Sequence, residues 1–349
     1  MATAKQMKLS VRQEVWPRSR PFRIAGNVSE SAAVIVVELA RDSIVGRGEA
    51  AGVRYRDEDC QSMMKQIDAV ADAVRAGIDR QSLQSVLPPG GARNALDCAL
   101  WDLEAKWSGL SIWELTGVVP KPVETVYTIS LEVNPELMAR HAASAVEYPL
   151  LKIKLDGTQP LERMQAVRAA RPDARIVVDA NQSWTMEQLK TVAPACAALG
   201  VQMIEQPLAR GADAQLEHFR SPVPLCADES CLHIGELDAA ARRYQMINIK
   251  LDKTGGLTPA LELAGAARAR LGCDGGMHER HFAGDGAGFR AGLRLRLCRY
   301  RWTAAAKKRP YAGPGIPGWG GECVWARSMG LRHKGPRTGS STREHCATR

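Results

Sequence analysis

The hydrophobic pattern of the first part of the chain predicts strands followed by helices. Apolar and β-branched residues cluster in two runs, and apolar residues at helical spacing fill two later stretches. The predicted strands are 8–15 and 32–39, and the predicted helices are 58–77 and 91–107. We interpret 1–117 as an α+β domain that ends at a boundary over 117–122.

Farther along the chain, short apolar strands alternate with helices about every 22 to 26 residues. The predicted strands are 125–131, 150–156, 175–180, 202–207, 224–229 and 246–252, and the helical patterns include 159–171, 185–199 and 258–270. This succession predicts an α/β fold, a (β/α)8-type (TIM) barrel over 118–270 that is incomplete after its sixth strand. A doubly wound parallel sheet is the alternative, but polar residues at the strand ends favour the barrel.

The segment 271–349 breaks this alternation. It is rich in Gly, Pro and Arg and contains no clear strand, so we expect an aberrant basic tail that is disordered or irregular. It holds 15 Lys and Arg against 5 Asp and Glu, whereas 1–270 hold 32 against 33. The net charge of +9 therefore belongs to the tail, and the rest of the chain has no basic bias that indicates a specific nucleic-acid partner.

Composition narrows the setting of the protein further. The chain has no apolar run of membrane-spanning length, and its first residues lack the apolar region of a signal peptide. Its nine cysteines form no CxxC pair, which indicates reduced thiols. We expect a cytoplasmic protein without a membrane partner and leave a homo-oligomer open.

Acidic residues occur at the ends of three successive predicted strands: Asp179, Glu205 and Asp228. The carboxyl ends of barrel strands meet at one mouth, so we expect these side chains to lie close together. Each acid alone is more commonly a helix cap or a solvated loop residue. Three in succession favour a site for a hard cation, and Mg²⁺ is the cofactor that we predict.

Lysines flank these acids. Lys152 and Lys154 share a face of the second predicted barrel strand because they are two residues apart, and we expect Lys250 and Asp252 to share a face of the sixth. Lysines that snorkel to solvent are the alternative. That alternative does not explain why all three lie on the side of the acids, with strands two and six facing each other across the cation.

This set of charges is typical of proton transfer at a carbon next to a carboxylate. A divalent cation stabilises the negative charge that develops on the carboxylate. A lysine whose pKa is lowered by the cation and by a second ammonium group can act as a base at neutral pH. With one lysine on each face, the residues indicate epimerisation by 1,1-proton transfer, the reaction of an isomerase.

Several segments resemble the enolase superfamily, muconate-lactonizing subgroup: LLKIKLD, IVVDANQSW, IEQPL, CADES and INIKLDKTGGLTPAL. The motifs ARNALDCALWDLEAKWSG and NIKLDKTGGLT are most similar to dipeptide epimerases. The resemblance spans 8–270 and implies a capping domain over 1–117. It also implies a Mg²⁺-dependent isomerase that acts on small dipeptides of the L-Ala-D/L-Glu type, a reaction of peptidoglycan peptide metabolism.

The resemblance implies a role for each motif residue. Lys154 and Lys250 would be the acid/base pair, while Lys152 would help to hold the substrate carboxylate and lower the pKa of Lys154. Thr128 would line the substrate site. The other residues are the metal ligands Asp179, Glu205 and Asp228, surrounded by Asn181, Glu229 and Asp252.

Two segments depart from the family pattern. Members that act on Ala-Glu carry an arginine in the mobile loop after the first strand, and none of Arg18, Arg20 and Arg23 occupies that place. The last two strands should carry a GTSL-like segment and a DxD motif that binds the α-ammonium group of the dipeptide, and neither occurs in 271–349. We therefore expect weak or no epimerase activity from this chain.

A shifted reading frame explains the second departure. With permitted codons, GMHERHFAGDGAG read out of frame gives GCTNGTSLAMAPG, and CRYRWTAAA gives VDIDGPLLL. Both missing motifs are recovered, so we predict a frame break near 271–273. Two alternatives stay open: another enzyme of the subgroup (a cycloisomerase or an o-succinylbenzoate synthase), or a nonfunctional product of the shifted frame.

The frame hypothesis is tested by sequencing the encoding DNA across codons 268–278. We expect that one inserted or deleted base restores a frame that encodes the GTSL-like segment and the DxD motif. A DNA sequence in which no single-base change restores them contradicts the hypothesis.

Overall fold

The computed structural model describes residues 6–24, 27–119 and 126–271. The segment 272–349 lies outside the described residues, and so does part of the predicted boundary over 117–122. The predictions of a frame break and of a disordered tail therefore stay predictions. Among the described helices, none has the length and apolar character needed to span a bilayer.

The chain begins with an antiparallel sheet of three strands: β1 Lys8–Ile24, β2 Asn27–Arg41 and β3 Ile44–Ala50. β2 lies between β1 and β3. Both predicted strands are present but longer than expected, because pairing continues from their apolar parts through Trp16 and Pro17 toward the hairpin end. β3 was missed because Gly46 and Gly48 interrupt its apolar pattern.

Five helices follow this sheet: α1 Cys60–Ala69, α2 Ala71–Arg75, α3 Arg80–Val86, α4 Gly91–Ser108 and α5 Ile112–Thr116. The side chains of Asp59, Asp79 and Ser111 accept hydrogen bonds from N–H groups in the first turns of α1, α3 and α5. The predicted helix 58–77 is divided into α1 and α2 at Val70. The helix α4 covers 91–107 as predicted.

α4 packs closely against β3 and is buried almost all round. A Cβ atom at Gly48 would overlap the carbonyl oxygen of Ala95 and lie 2.8 Å from the backbone nitrogen of Ala99. The glycine therefore permits this close approach of helix and strand. Other side chains of α4 reach residues 252–258.

Within 126–271, the second sheet is parallel and has six strands: β4 Tyr127–Ile129, β5 Leu150–Lys154, β6 Arg175–Asp179, β7 Val201–Glu205, β8 Leu225–Ala227 and β9 Met246–Ile247. They pair in chain order from β4 to β9. A doubly wound sheet reverses its order at a switch point, so the barrel-type prediction is confirmed.

Helices and short 3₁₀ turns lie on the outside of the sheet, where they connect these strands or follow the last of them. The helices are α6 Pro135–Ala143, α7 Pro160–Ala170, α8 Met186–Ala198, α9 Leu237–Arg243, α10 Leu251–Thr254 and α11 Leu257–Arg270. The main core lies between them and the outer face of the sheet, where Ile153, Val178 and Ile204 are fully buried. The inner face carries a smaller apolar cluster of Leu150, Val177, Met203 and Cys226.

The contact between β3 and α4 predicts a large cost for a small change. Gly48→Ala forces the helix away from the strand, so the free energy of unfolding should fall by about 1 to 3 kcal/mol, as measured by urea denaturation. Gly265→Ala is the matched control, since no atom lies within 4 Å of a Cβ atom there. It should raise stability by about 0.5 to 1 kcal/mol because it replaces an exposed helical glycine. Equal effects of the two substitutions would contradict the packing argument.

Candidate active site

The inner face of the parallel sheet changes from apolar to charged toward the carboxyl ends of the strands. Leu150, Val177, Met203 and Cys226 form the apolar cluster. Two residues farther along each strand, on the same face, are Lys152, Asp179, Glu205 and Asp228. The alternation of side chains along each strand therefore places an apolar cluster toward the amino ends of the strands and a cluster of charges at their carboxyl ends.

The lysines of β5 contact the acids of β6 and β7. Lys152 Nζ lies 2.7 Å from Asp179 Oδ2 and 2.6 Å from Glu205 Oε2, so it bridges two carboxylates. Lys154 Nζ lies 2.5 Å from the same Asp179 oxygen. Lys152 and Lys154 therefore both reach the inner face, and both are largely withdrawn from solvent.

Asp228 is held from two sides by lysines of the segment that follows β9. Lys250 Nζ forms an ion pair with Asp228 Oδ2. Lys253 Nζ donates to Asp228 Oδ1 and to its carbonyl oxygen, each at 2.7 Å, and to Asn248 O at 2.6 Å. The buried Lys253 thereby ties the end of β8 to the end of β9.

Amide side chains complete these contacts. Asn181 Oδ1 accepts a hydrogen bond from Lys154 at 2.6 Å, and the Asn181 N–H donates to Asp179 Oδ1 at 2.9 Å. Asn248 Nδ2 donates to Glu205 Oε1 at 3.0 Å. Gln206 Oε1 accepts from the N–H of Asp228 at 2.9 Å. The structure thus places Asn181 beside Lys154 and Asp179.

The expectation for Lys250 and Asp252 needs a correction. The ladder of β9 ends at Ile247, and Lys250 is the extended residue that precedes the helical turn α10. Asp252 lies inside that turn, so the two side chains do not share a strand face. Asp252 Oδ1 instead accepts from Asn94 Nδ2 at 3.0 Å, on α4. Asp252 therefore faces the N-terminal region rather than the acids of the barrel.

Thr128 lies on β4 directly opposite Lys152 in the register of β4 and β5. It is half-buried. The structure thus brings it to the edge of the cluster, next to the lysine that bridges two carboxylates.

Neighbouring lysines keep the buried acids Asp179 and Asp228 deprotonated. Burial by itself raises the pKa of Asp179 and Asp228, but Lys152 and Lys154 at the first and Lys250 and Lys253 at the second hold both pKa values below the usual range. Burial opposes the charge of Lys152, yet Asp179 and Glu205 raise its pKa above the ordinary value. These groups are therefore charged at neutral pH.

Glu229 is the exception. Burial, Asp228 and Asp179 raise the pKa of its carboxyl to about 7. Its Oε2 atom is buried and has no hydrogen-bond partner among the described residues. A buried oxygen without a donor, beside two carboxylates, is where additional positive charge would be stabilised.

The acids fit a hard divalent cation in kind and in burial. Asp179, Glu205 and Asp228 offer carboxylate oxygens, the ligands that Mg²⁺ prefers. Lys152 shows that oxygens of Asp179 and Glu205 can face one positive group. In the arrangement described over 6–24, 27–119 and 126–271, no three acidic, His or Cys side chains form a metal site, and lysine ammonium groups bond to the carboxylates.

Sequence reasoning missed three residues that shape the cluster: Asn248, Lys253 and Gln206. Asn248 precedes Lys250 by two residues, so strand alternation could have found it. Gln206 follows Glu205 directly and has a left-handed backbone with φ of 37°. No local pattern distinguishes Lys253 from a solvated lysine, because its burial depends on the helical turn α10.

Two family models match the chain. Residues 6–117 match the mandelate racemase/muconate lactonizing enzyme N-terminal domain, and residues 137–293 match the enolase C-terminal domain-like family. Together they account for more than half of the chain.

Curated relatives and solved structures agree with these matches. The chain is 47% identical over 274 residues to an L-Ala-D/L-Glu epimerase of Escherichia coli (strain K12), covering 76% of this chain and 85% of that protein. It is 40% identical to an N-acetyl-D-glutamate racemase of a Pseudoalteromonas species, covering 69% and 76%.

Among solved structures, an enolase family member from Agrobacterium tumefaciens with bound sodium and L-Ala-L-Glu is 42% identical. Its TM-score is 0.74, with 76% of this chain and 81% of that chain covered. A dipeptide epimerase from Methylococcus capsulatus, complexed with Mg and the dipeptide L-Arg-D-Lys, is 30% identical. Its TM-score is 0.69, with 76% and 81% covered.

The contacts of Lys253 predict a strong effect on stability. Lys253→Met leaves part of the buried Asp228 charge without a partner, so the free energy of unfolding in urea should fall by about 3 to 5 kcal/mol. The exposed Lys190→Met on α8 is the control and should change it by less than about 0.5 kcal/mol. If both variants are as stable as the unmodified chain, Lys253 does not hold Asp228 in the way described.

Proposed function

Because this chain belongs to the mandelate racemase/muconate lactonizing enzyme family of the enolase superfamily, we propose that it is a Mg²⁺-dependent dipeptide epimerase. The reaction is a 1,1-proton transfer at the α-carbon of the C-terminal residue. The substrates are L-Ala-D/L-Glu-like dipeptides.

One observation carries this proposal. Ammonium groups approach a single cluster of buried acids from two directions: Lys154 from β5 at Asp179, and Lys250 from the end of β9 at Asp228. A carbon held between the two lysines would have an acid/base group on each face. This is the arrangement that inversion of a stereocentre requires.

Each residue has a distinct part in the proposed reaction. One of Lys154 and Lys250, as the neutral amine, takes the α-proton, and the other, as the ammonium, delivers a proton to the opposite face. Lys152, whose pKa is raised, keeps its charge and holds the substrate carboxylate. Thr128 lies next to it on β4 and lines the substrate site.

The same proposal assigns Asp179, Glu205 and Asp228 as the residues that would hold Mg²⁺. The bound ion supplies positive charge that stabilises the carboxylate as negative charge develops on it. Asn181 supports the position of Lys154 and Asp179. The buried carboxyl of Glu229 lies beside the ligands, with an Oε2 atom that has no hydrogen-bond partner among the described residues. Asp252 acts from a distance, through its contact with α4.

Two observations bear on the substrate and on the alternatives. The relatives named above act on dipeptides or on an N-acyl glutamate, which favours epimerisation over a cycloisomerase or an o-succinylbenzoate synthase. The motif for the dipeptide α-ammonium group is missing from the sequence of 271–349. Weak activity of this chain, or a nonfunctional product of a shifted frame, therefore stays the expectation that we test.

Solvent exchange is the most sensitive test of proton transfer. In D₂O with Mg²⁺, the proposed function predicts that the full chain exchanges, at a low rate, the α-proton of L-Ala-L-Glu and of L-Ala-D-Glu, as followed by NMR. Lys154→Ala should lower the exchange rate of one epimer by at least about 100-fold, and Lys250→Ala should lower that of the other epimer by the same factor. The exposed Lys190→Ala is the control and should not change either rate.

The alternatives give different results in the same experiment. Conversion of a succinylbenzoate precursor without exchange of any dipeptide would assign the chain to another enzyme of the subgroup. No exchange with any dipeptide, and no conversion, would overturn the proposed function and favour the nonfunctional product.

A further inference from the structure

The helix α4 carries a row of polar side chains that faces the segment after β9. Arg93, Asn94, Asp97 and Trp101 lie on neighbouring turns of the helix, and each is buried. They belong to the motif ARNALDCALW, and none of them takes part in the proposed proton transfer. Each of them has at least one partner within 252–258, immediately after Lys250.

Four contacts join the two segments. Asn94 Nδ2 donates to Asp252 Oδ1 at 3.0 Å. Asp97 Oδ2 accepts from the N–H of Thr258 at 3.0 Å, and Trp101 Nε1 donates to Thr258 Oγ1 at 2.9 Å. The fourth contact, made by Arg93, involves the carbonyl groups at the end of α10.

Arg93 binds carbonyl groups of two different elements. Its Nη2 atom donates to Thr254 O at 2.7 Å and its Nε atom to Gly255 O at 3.2 Å. Its Nη1 atom donates to Leu87 O at 3.0 Å and to Gln84 O at 3.2 Å, at the end of α3. One guanidinium group therefore caps the carboxyl ends of two helices, whose last carbonyls have no partner within their own helix.

The chain conformation at Gly255 is fitted to this guanidinium group. Gly255 has φ of 82°, which favours glycine, and a Cβ atom there would lie 2.7 Å from Arg93 Nη2. The contact therefore leaves no room for a side chain, and the turn is formed around Arg93.

A rigid connection leads from this contact to Lys250. Lys250 O accepts hydrogen bonds from the N–H of Thr254 at 3.0 Å and of Lys253 at 3.1 Å, which close the single turn of α10. One isolated helical turn is unstable in water because nucleation is costly. Its position is therefore set by contacts from outside, and Arg93 supplies two of them at the end opposite to Lys250.

We infer that Arg93 on α4 is a positioning residue for Lys250, so that the N-terminal region places one of the two acid/base lysines and leaves the other to the barrel. The inference rests on the proposed function in taking Lys250 as one member of the pair. Lys154 is attached to β5, which pairs with β4 and β6 along its length and does not depend on α4.

The two lysines are therefore expected to respond differently to a change at Arg93. Removing the guanidinium group releases the end of α10 and shifts Lys250 relative to the α-carbon. A misplacement of about 1 Å can cost on the order of 100-fold in rate. Exchange of the α-proton in the epimer for which Lys250 is the base should slow. Exchange in the epimer for which Lys154 is the base should change far less.

The experiment compares Arg93→Met with Arg171→Met in the full chain. Arg171 is another buried arginine, whose guanidinium donates to Ala145 O at 2.7 Å and Tyr148 O at 3.0 Å, before β5, at the opposite end of the strands. It controls for the general cost of removing a buried arginine. The epimer that depends on Lys250 is identified by Lys250→Ala.

Two readouts are measured on each variant: α-proton exchange with both epimers in D₂O, and amide hydrogen exchange of the peptide over 246–258. For Arg93→Met we expect the Lys250-dependent epimer to slow at least about tenfold more than the other. We also expect faster amide exchange over 246–258. Arg171→Met should show neither a difference between epimers nor faster exchange in that peptide.

The outcomes separate this inference from the proposed function. Equal slowing of both epimers by Arg93→Met, or no slowing, overturns the inference while the proposed function stands. If the unmodified chain exchanges the α-proton of neither epimer, the proposed function fails. Amide hydrogen exchange then tests whether Arg93 positions the segment 246–258. Faster exchange over 246–258 in Arg93→Met alone then supports the positioning of this segment by Arg93, and unchanged exchange overturns it.

Discussion

The balance of buried charge at the strand ends is the constraint on which the site depends. Asp179, Glu205 and Asp228 are almost completely withdrawn from solvent, and an isolated carboxylate in such a place would take up a proton. Lysines from β5 and from the segment after β9 keep Asp179 and Asp228 charged. Neither half of this set can be stable in the barrel interior alone, because a buried charge without its partner costs several kcal/mol. The chain therefore has to bring both ends of the described sheet to the same cluster.

Strand alternation explains why so much of this site is evident from the sequence. On each of four strands, an apolar residue and a charged residue two positions later share the inner face: Leu150 and Lys152, Val177 and Asp179, Met203 and Glu205, and Cys226 and Asp228. This face is therefore apolar toward the amino ends of the strands and charged at their carboxyl ends. The parallel order of β4 to β9 was predictable for the same reason, since each apolar run is followed by a polar residue and a helix. The roles of the individual residues are a separate matter and stay proposals.

The features that escaped prediction depend on tertiary contacts. β3 was missed because its glycines serve the packing of α4 and carry no strand signal of their own. The sixth barrel strand was predicted too long because Lys250 is extended, with φ of −127° and ψ of 133°, although the ladder has already ended. Alternation over 246–252 therefore predicted the position of Lys250 but misassigned Asp252, which the helical turn carries to the side of Asn94.

The N-terminal region contacts both edges of the described parallel sheet. Beyond β4, the N–H of Leu131 donates to Arg23 O at 3.2 Å, and Arg23 forms an ion pair with Glu132 at 3.7 Å. Beyond β9, Arg93 and Asn94 bind the turn that follows Lys250. The two edge strands are short, with three and two residues, and pair on one side only within 126–271, so they contribute few ladder bonds of their own. Contacts from β1 and α4 compensate for this at the two places where Thr128 and Lys250 enter the site. The geometry of the cluster is therefore a property of both regions together, although almost all of its charged groups belong to the second.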